Sequence, residues 1–312
     1  MQGVIIENGC WYAQIDPQHG ANCINLRHKG SGARLLREPP EDGILDNPYL
    51  YGMPILFPVN RIEGGEFTFE GRKYVFPINE PATGCHLHGE LHRMPFVAVE
   101  KSDTKAVFCY RAEKGAYLGF PHAFEIRMTY ELTEECFCHT VTVCNRSAEN
   151  MPLFLGFHTT FNTPLTETSR TEHVRVFANI TEEYERNMAV NYLPTGVIPP
   201  FDATSRALAD GTYIPFGKGL SRHYRGQGRM TLTDTDAGLC MVYENDEKYG
   251  FRLIFGDGAT YICLEPQTCL ANCQNAPFAR EATGFDYIAP ECEKTYRSKI
   301  YLEELKNENN KA

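Results

Sequence analysis

The chain has 312 residues, of which 42% are hydrophobic and 22% charged, a composition that excludes a disordered or fibrous protein. Its formal net charge of −10 and its lack of Lys/Arg-rich runs exclude nucleic acid as an expected partner. We expect a cytoplasmic protein without a membrane partner, because neither a secretory signal pattern nor a run of about 18 apolar residues occurs. In that compartment its twelve cysteines should be free and mostly buried.

Strand patterns dominate the chain. Residues 67–69 and 74–76 flank a Glu-Gly-Arg-Lys turn, which predicts a hairpin. Apolar and polar residues alternate over 124–132, which predicts a half-buried antiparallel strand. A second hairpin pattern joins 230–233 to 239–243. Further extended runs are predicted at 136–144, 153–157, 251–255, 261–264 and 297–302.

Long amphipathic helical patterns are almost absent, so the sequence predicts an all-β fold. Many strands at short spacing favour one large antiparallel β-sandwich, and we expect residues 1–312 to form a single domain. The Pro- and Gly-rich stretch 191–228 is predicted to form long loops, where binding residues often collect. The charged tail 303–312 is predicted to be frayed.

Four segments beside strand patterns concentrate side chains that can transfer protons or bind hydroxyl groups. They contain Asn60 and Arg61, the histidines of 85–92, His158, and finally Glu265 with Gln267. Glu265 directly follows the apolar run 261–264, so its carboxyl group should be partly desolvated, with its pKa raised toward that of a general base. A solvated glutamate at a strand end and a hydrogen-bonded core histidine are the structural alternatives for Glu265 and His158.

In their order and spacing, these segments resemble the aldose 1-epimerase (galactose mutarotase-like) family from about Gly20 to Glu291. The resemblance implies a galactose mutarotase-like supersandwich that binds a sugar on the concave face of one sheet. It also implies roles for individual residues: Glu265 as catalytic base, His158 as catalytic acid, His88 and Arg61 as sugar-binding residues, and Asn60, Gln267 and His223 as further candidates for sugar binding.

Two positions depart from the family pattern. Residues 221–224 read Ser-Arg-His-Tyr and lack the carboxylate that many relatives use to bind sugar hydroxyls. Thr159 and Thr160 replace the usual Pro-Tyr after the histidine.

The implied activity is the interconversion of the α and β anomers of a hexose or related sugar. Glu265 would remove the proton of the C1 hydroxyl while protonated His158 donates to the ring oxygen. An imidazole with an ordinary pKa near ~6.5 can serve as acid in one direction and base in the other. The expected partner is a small-molecule sugar, and neither a metal nor a nucleotide cofactor is expected.

Two alternatives remain open at this stage. On a regular strand, His86, His88, Glu90 and His92 would share one face and could bind the metal of a metal-dependent sugar enzyme. The chain could instead be a non-catalytic carbohydrate-binding protein of the same fold.

The identity of the sugar is also open. Five arginines are candidates for holding a phosphate or sulfonate on the substrate, although arginine is equally common at a solvated rim: Arg61, Arg72, Arg93, Arg222 and Arg225.

Overall fold

The structure, a computed structural model, describes residues 3–41 and 47–305, and most of its regular elements are antiparallel β-strands. This confirms the all-β prediction. The first four strands form a small sheet in chain order: β1 Val4–Glu7, β2 Trp11–Asp16, β3 Asn22–His28 and β4 Ala33–Arg34.

Most of the later strands belong to one large sheet. The strands are β5 Ile55–Leu56, β6 Arg61–Glu63, β7 Glu66–Phe69, β8 Arg72–Val75, β9 Cys85–Leu87, β10 Val97–Lys101, β11 Lys105–Ala112, β12 Phe124–Leu132, β13 Cys136–Asn145, β14 Met151–Leu153, β15 Gly156–Phe157, β16 Thr160–Asn162, β17 Val174–Tyr184, β18 Leu220–Asp234, β19 Leu239–Asn245, β20 Phe251–Gly256, β21 Tyr261–Gln267, β22 Asp286–Ile288 and β23 Glu293–Glu304. The large sheet has 13 strands in the order β10-β11-β12-β13-β23-β19-β18-β20-β21-β15-β5, with β16 paired to β21 and β17 to β18. Three two-stranded sheets complete the fold: β6-β9, β7-β8 and β14-β22.

One apolar core joins the small sheet to the large one. Ile6 and Trp11 of the small sheet belong to the same buried cluster as Tyr243 and Ile300 of the large sheet. Strand β12 shows how the sequence builds this core. Its alternate apolar residues are buried, while Arg127 and Glu131 on the opposite face are exposed. Burial of each large apolar side chain contributes roughly 1.5–3 kcal/mol.

Helical structure is limited to short segments within the described residues. The single α-helix, α1 Ala203–Asp210, begins where the Asp202 carboxylate accepts a hydrogen bond from the backbone N–H of Ser205 at 2.9 Å. It ends at Gly211, whose φ of 73° suits a left-handed cap. Four 3₁₀ helices lie in connections: Pro48–Leu50, Leu91–Arg93, Thr171–His173 and Arg280–Thr283. No helix of residues 3–41 or 47–305 is long and apolar enough to span a membrane.

Several predicted boundaries are wrong. The stretch 191–228 is not all loop, because it contains α1 and the first nine residues of β18. The run 153–157 is divided between β14 and β15. Strand β21 continues three residues beyond 264, so Glu265 lies inside a strand and not after one. Of the tail predicted to be frayed, residues 303 and 304 belong to β23, and residues 306–312 lie outside the described part.

The cysteines are mostly buried, as expected. Eight of the twelve are buried and all twelve carry free thiols. The four that are not fully buried are Cys10, Cys136, Cys138 and Cys292.

Candidate active site

Strand pairing explains why His158 and Glu265 meet although 107 positions separate them in the sequence. Gly156 pairs with Gln267, and Thr160 pairs with Cys263. His158 is midway between Gly156 and Thr160, and Glu265 is midway between Cys263 and Gln267. The register therefore places His158 opposite Glu265. The backbone N–H of His158 donates to the carbonyl of Pro54 at 3.0 Å, which fixes this irregular stretch against its other neighbour.

The two predicted proton-transfer groups are in close contact. Nε2 of His158 lies 3.2 Å from Oε1 of Glu265, and the two residues are 7% and 0% exposed. The other oxygen of Glu265, Oε2, accepts a hydrogen bond from Nε2 of Gln267 at 3.0 Å. Within the described residues Oε1 has no hydrogen-bond partner, so it is free to accept one from a ligand hydroxyl.

Burial shifts the pKa values of this pair in opposite directions. Desolvation raises the pKa of Glu265 to about 8, despite the opposing hydrogen bond from Gln267 and the charges of Arg186 and Arg61. Desolvation lowers the pKa of His158 to about 4. The raised pKa of Glu265 matches the sequence argument, whereas the ordinary imidazole pKa expected for His158 is wrong because its ring is buried. Between about pH 4 and 8, Glu265 is therefore protonated and His158 neutral, so the pair holds one titratable proton.

A chain of amide side chains orients the carboxylate. Nδ2 of Asn60 donates to Oε1 of Gln267 at 3.3 Å, and Gln267 donates to Glu265. Asn60 and Gln267 are both fully buried, and Gln267 does not line the cavity described below. Direct sugar contact by Gln267 stays a prediction, and what the structure shows is its hydrogen bond to Glu265. Both amides hold Glu265 in place.

His88 is held in one tautomer by the same segment. The backbone N–H of Asn60 donates to Nδ1 of His88 at 3.2 Å, so a neutral ring carries its proton on Nε2. Burial keeps the ring neutral by lowering its pKa well below the ordinary value. Asn60 and His88 have φ values of 62° and 63°, a strained conformation that often marks a functional site.

Arg61 is paired before any substrate binds. Its Nε and Nη2 donate to the two carboxylate oxygens of Glu80 at 2.6 and 2.7 Å. The guanidinium also stacks on the ring of Tyr192, 4.6 Å from its centroid. These contacts fix the orientation of Arg61 at the cavity wall, where its remaining N–H groups can meet a ligand.

These groups line a cavity of about 560 Å³, which lies in the size range of small-molecule sites. His88, Arg61, His158 and Glu265 are among the residues that contribute polar groups to it. The apolar side chains Leu253 and Phe255 of β20 also line it, and they offer a surface for the C–H face of a sugar ring. The cavity therefore combines a rigid polar edge with an apolar floor.

Sequence reasoning missed several polar residues of the cavity wall, among them Tyr49, Glu80 and Arg186. Tyr49 places its ring 4.7 Å from that of His88 and 6.1 Å from that of His158. Glu80 holds Arg61, and Arg186 follows the end of β17. None lies in a recognisable motif, and only the tertiary fold brings them to this cavity.

The structure does not form the alternative metal group. Strand β9 ends at Leu87, and His92 lies in a 3₁₀ helix, so His86, His88, Glu90 and His92 do not share one strand face. Nδ1 of His86 lies 2.7 Å from the carbonyl of Pro77. The prediction of one shared face is wrong, because the positive φ values of His88 and Gly89 end the regular alternation.

In the described residues, one other group brings three ligand types together. Ligand atoms of His158, Cys263 and Glu265 lie within 4.8 Å of one another. Burial raises the pKa of the Cys263 thiol well above its ordinary value, and its sulfur lies 3.3 Å from the Thr160 hydroxyl. A metal would require both this thiol and Glu265 to lose protons that burial favours. The group fits a proton-transfer site better than a metal centre.

A family profile described as aldose 1-epimerase matches residues 4–300. The chain belongs to the aldose 1-epimerase family. A galactose mutarotase-like protein from Clostridium acetobutylicum superposes with a TM-score of 0.89 at 27% identity, over 96% of this chain and 95% of that one. A GalM/aldose epimerase homologue from C. elegans gives a TM-score of 0.77 at 15% identity, over 98% and 99% of the two chains, which shows likeness of fold.

One curated sequence relative of this aldose 1-epimerase family member comes from Escherichia coli (strain K12), where it is named Uncharacterized protein YphB. The two are 26% identical over 136 residues, and the matched stretch spans 44% of each protein.

The two departures from the family pattern have structural outcomes. The Thr159 hydroxyl lies 3.1 Å from the hydroxyl of Tyr243, so this position is tied into the core. In the segment 221–224, Ser221 lines the cavity, whereas His223 is fully buried and does not line it. Sugar binding by His223 stays a prediction, and in this structure its ring lies beneath the cavity surface.

Proposed function

We propose that this protein is an aldose 1-epimerase, an isomerase that interconverts the α and β anomers of a hexose or related sugar by acid–base catalysis. The observation that carries the proposal is the 3.2 Å contact between His158 Nε2 and Glu265 Oε1 in the wall of a sugar-sized cavity. Anomer exchange requires proton transfers at two neighbouring oxygens, O1 and the ring oxygen. Two proton-transfer groups in contact suit that requirement.

In the proposed reaction, Glu265 accepts the proton of the C1 hydroxyl while His158 donates a proton to the ring oxygen. The bond between C1 and the ring oxygen breaks, and C1 becomes the carbonyl carbon of the open-chain aldehyde. Rotation about the C1–C2 bond then presents the other carbonyl face. Glu265 returns its proton to O1, His158 recovers its proton from the former ring oxygen, and the ring closes as the other anomer.

The shifted pKa values define the proton count of this cycle. At neutral pH the resting pair holds one proton, which burial favours on Glu265. That distribution matches the open-chain stage, when Glu265 has accepted and His158 has donated. To begin the cycle the proton must move to His158, and the 3.2 Å separation of the two atoms makes a direct transfer short.

Other groups in the wall would bind the sugar. The Nε2–H of His88 is available as a donor to the ring oxygen, and the free N–H groups of Arg61 to hydroxyl oxygens. Asn60 and Gln267 would act as positioning residues, since they fix the carboxylate of Glu265.

The proposal is tested by following the optical rotation of freshly dissolved α-glucose and α-galactose in a non-catalytic buffer. We expect the wild-type protein to accelerate the approach to equilibrium. His158→Asn and Glu265→Gln should each lower turnover by roughly 10²- to 10⁴-fold, the usual contribution of one proton-transfer group. His173→Asn is the matched control, because His173 pairs with Asp236 outside the cavity.

Two results would contradict the proposal. Full activity in either cavity variant would remove that residue from the mechanism. Tight sugar binding by the wild-type protein without faster anomer exchange would indicate a carbohydrate-binding protein instead.

A further inference from the structure

Arg186 introduces a buried positive charge into the cavity. The residue is only 8% exposed and lines the cavity that contains His158 and Glu265. Its Nη2 donates to the hydroxyl of Ser221 at 2.8 Å. Among residues 3–41 and 47–305, no carboxylate lies within ion-pair distance of its guanidinium. Burial of a cation without an anionic partner costs free energy. The presence of such a cation in the cavity wall points to an anionic ligand.

The arginines that the sequence suggested for an anionic substrate are mostly neutralised. Each of four forms an ion pair with glutamate: Arg61 with Glu80, Arg72 with Glu149, Arg222 with Glu183 and Arg225 with Glu182. The fifth, Arg93, donates to the ring of His92. Arg186 was not among them, yet within residues 3–41 and 47–305 it is the cation of the cavity wall that forms no ion pair.

The remaining charges of the cavity do not cancel Arg186. Glu80 is the partner of Arg61, and Glu183 accepts hydrogen bonds from Arg222. Burial favours the neutral form of Glu265 at pH 7. Although burial lowers the pKa of Arg186 to about 10, its guanidinium remains charged at neutral pH. The cavity thus has an excess of about one positive charge.

The strand register locates this charge relative to the reacting end of the sugar. Ser221 on β18 pairs with Phe255 on β20, which pairs with Cys263 on β21, two residues before Glu265 and on the same face. Adjacent strands lie about 4.8 Å apart, so Arg186, bonded to Ser221, lies above a strand about 10 Å from β21. A pyranose with C1 at Glu265 can extend across Leu253 and Phe255 toward Arg186.

His223 is a second polar group without a hydrogen-bond partner among the described residues, and it is buried beneath this end of the cavity. It lies two residues from Ser221 on the same face of β18, and neither ring nitrogen has a hydrogen-bond partner among the described residues. The charge of Arg186 adds to burial in lowering its pKa well below the ordinary value. An anion at Arg186 would offset that charge.

We propose that the substrate is an anionic sugar whose oxyanion, carried at the end remote from C1, binds to Arg186 and Ser221. The ligand class is a hexose with a phosphate or carboxylate on C6. This inference rests on the proposed anomerase function. It deepens that function, because the catalytic pair acts at C1 whereas Arg186 selects among sugars by the group at C6.

The test compares anomer exchange of glucose, glucuronate and glucose 6-phosphate by exchange NMR. We expect kcat/KM to be at least about 10-fold higher for one of the charged sugars than for glucose, and the two charged sugars distinguish carboxylate from phosphate. Arg186→Met should lower the ratio of charged to neutral kcat/KM by roughly 10- to 100-fold, the usual effect of losing a charge-assisted hydrogen bond. Arg175→Met is the matched control, since it removes one positive charge from β17 outside the cavity and should not change the ratio.

Titration calorimetry separates this inference from the proposed function. Glucose 6-phosphate, glucuronate and glucose are titrated into wild-type protein, Arg186→Met and Arg175→Met at equal ionic strength. Stronger binding of a charged sugar to the wild type, lost in Arg186→Met alone, supports the anion site even if no sugar is turned over. The inference is overturned if glucose is bound and converted as well as the charged sugars, or if Arg186→Met weakens all three equally.

Discussion

Replacement of Glu265 by glutamine should stabilise the protein at alkaline pH although it lowers turnover. The pKa of Glu265 is raised from 4.5 to about 8 by burial. A carboxyl group whose folded pKa is raised stabilises the fold fully below its unfolded pKa, and this contribution is lost as the pH rises through 8. At about 1.4 kcal/mol per pH unit, the loss between pH 5 and 9 is on the order of 4 kcal/mol. Glutamine has no proton to lose and can still accept the hydrogen bond from Gln267.

The measurement is urea unfolding of wild type and Glu265→Gln at several pH values, with the difference in free energy of unfolding plotted against pH. The free energy of unfolding of the variant should rise relative to that of the wild type between pH 5 and pH 9. Glu80→Gln is the matched control with the opposite sign. Burial alone would raise the pKa of Glu80, but hydrogen bonds from Arg61 and Thr83 outweigh it and lower that pKa. Glu80→Gln should therefore lose stability above pH 4.5 and regain it in acid. Parallel pH curves for wild type and Glu265→Gln would refute the assignment of a protonated, desolvated Glu265.

Three further predictions concern the same cavity. The pH dependence of kcat/KM should be bell-shaped with limbs near pH 4 and 8, because the pair must hold one proton; a single limb near 6.5 would indicate an ordinary, solvated His158. Gln267→Leu should move the alkaline limb to higher pH, since the lost hydrogen bond favours ionised Glu265, and an unmoved limb with normal kcat would exclude this positioning role. Gly89→Ala should lower the free energy of unfolding, measured with urea, by several kcal/mol, because the φ of Gly89 is 62° and a Cβ there would meet the backbone of Phe57. Gly71→Ala, with φ of 77° but open space, should cost only about 1 kcal/mol, and equal losses would contradict the steric argument.

Much of the fold could be predicted from local sequence patterns. Strand β12 Phe124–Leu132 has the bounds that its alternation predicts, and the hairpins of β7 with β8 and of β18 with β19 form around the predicted turns. Alternation is visible in sequence because a strand with one buried face needs apolar residues at every second position. Strand ends were less predictable. Strand β21 continues to Gln267, beyond its predicted end at residue 264. Its last residues include Glu265 and Gln267, which are polar although buried, so a hydropathy pattern assigns them to a loop.

Strand patterns were enough to predict the fold class, and the family resemblance singled out His158 and Glu265. The pKa values of these two groups could not be predicted in the same way, because desolvation depends on the atoms packed around each group and not on its sequence neighbours. The same holds for Arg186. Its sequence neighbours Glu185 and Asn187 do not single it out. Its place at the cavity, without an anionic partner among the described residues, arises only when β17, β18 and β20 pair. Charge balance in a buried site is a sum over groups that the fold brings together.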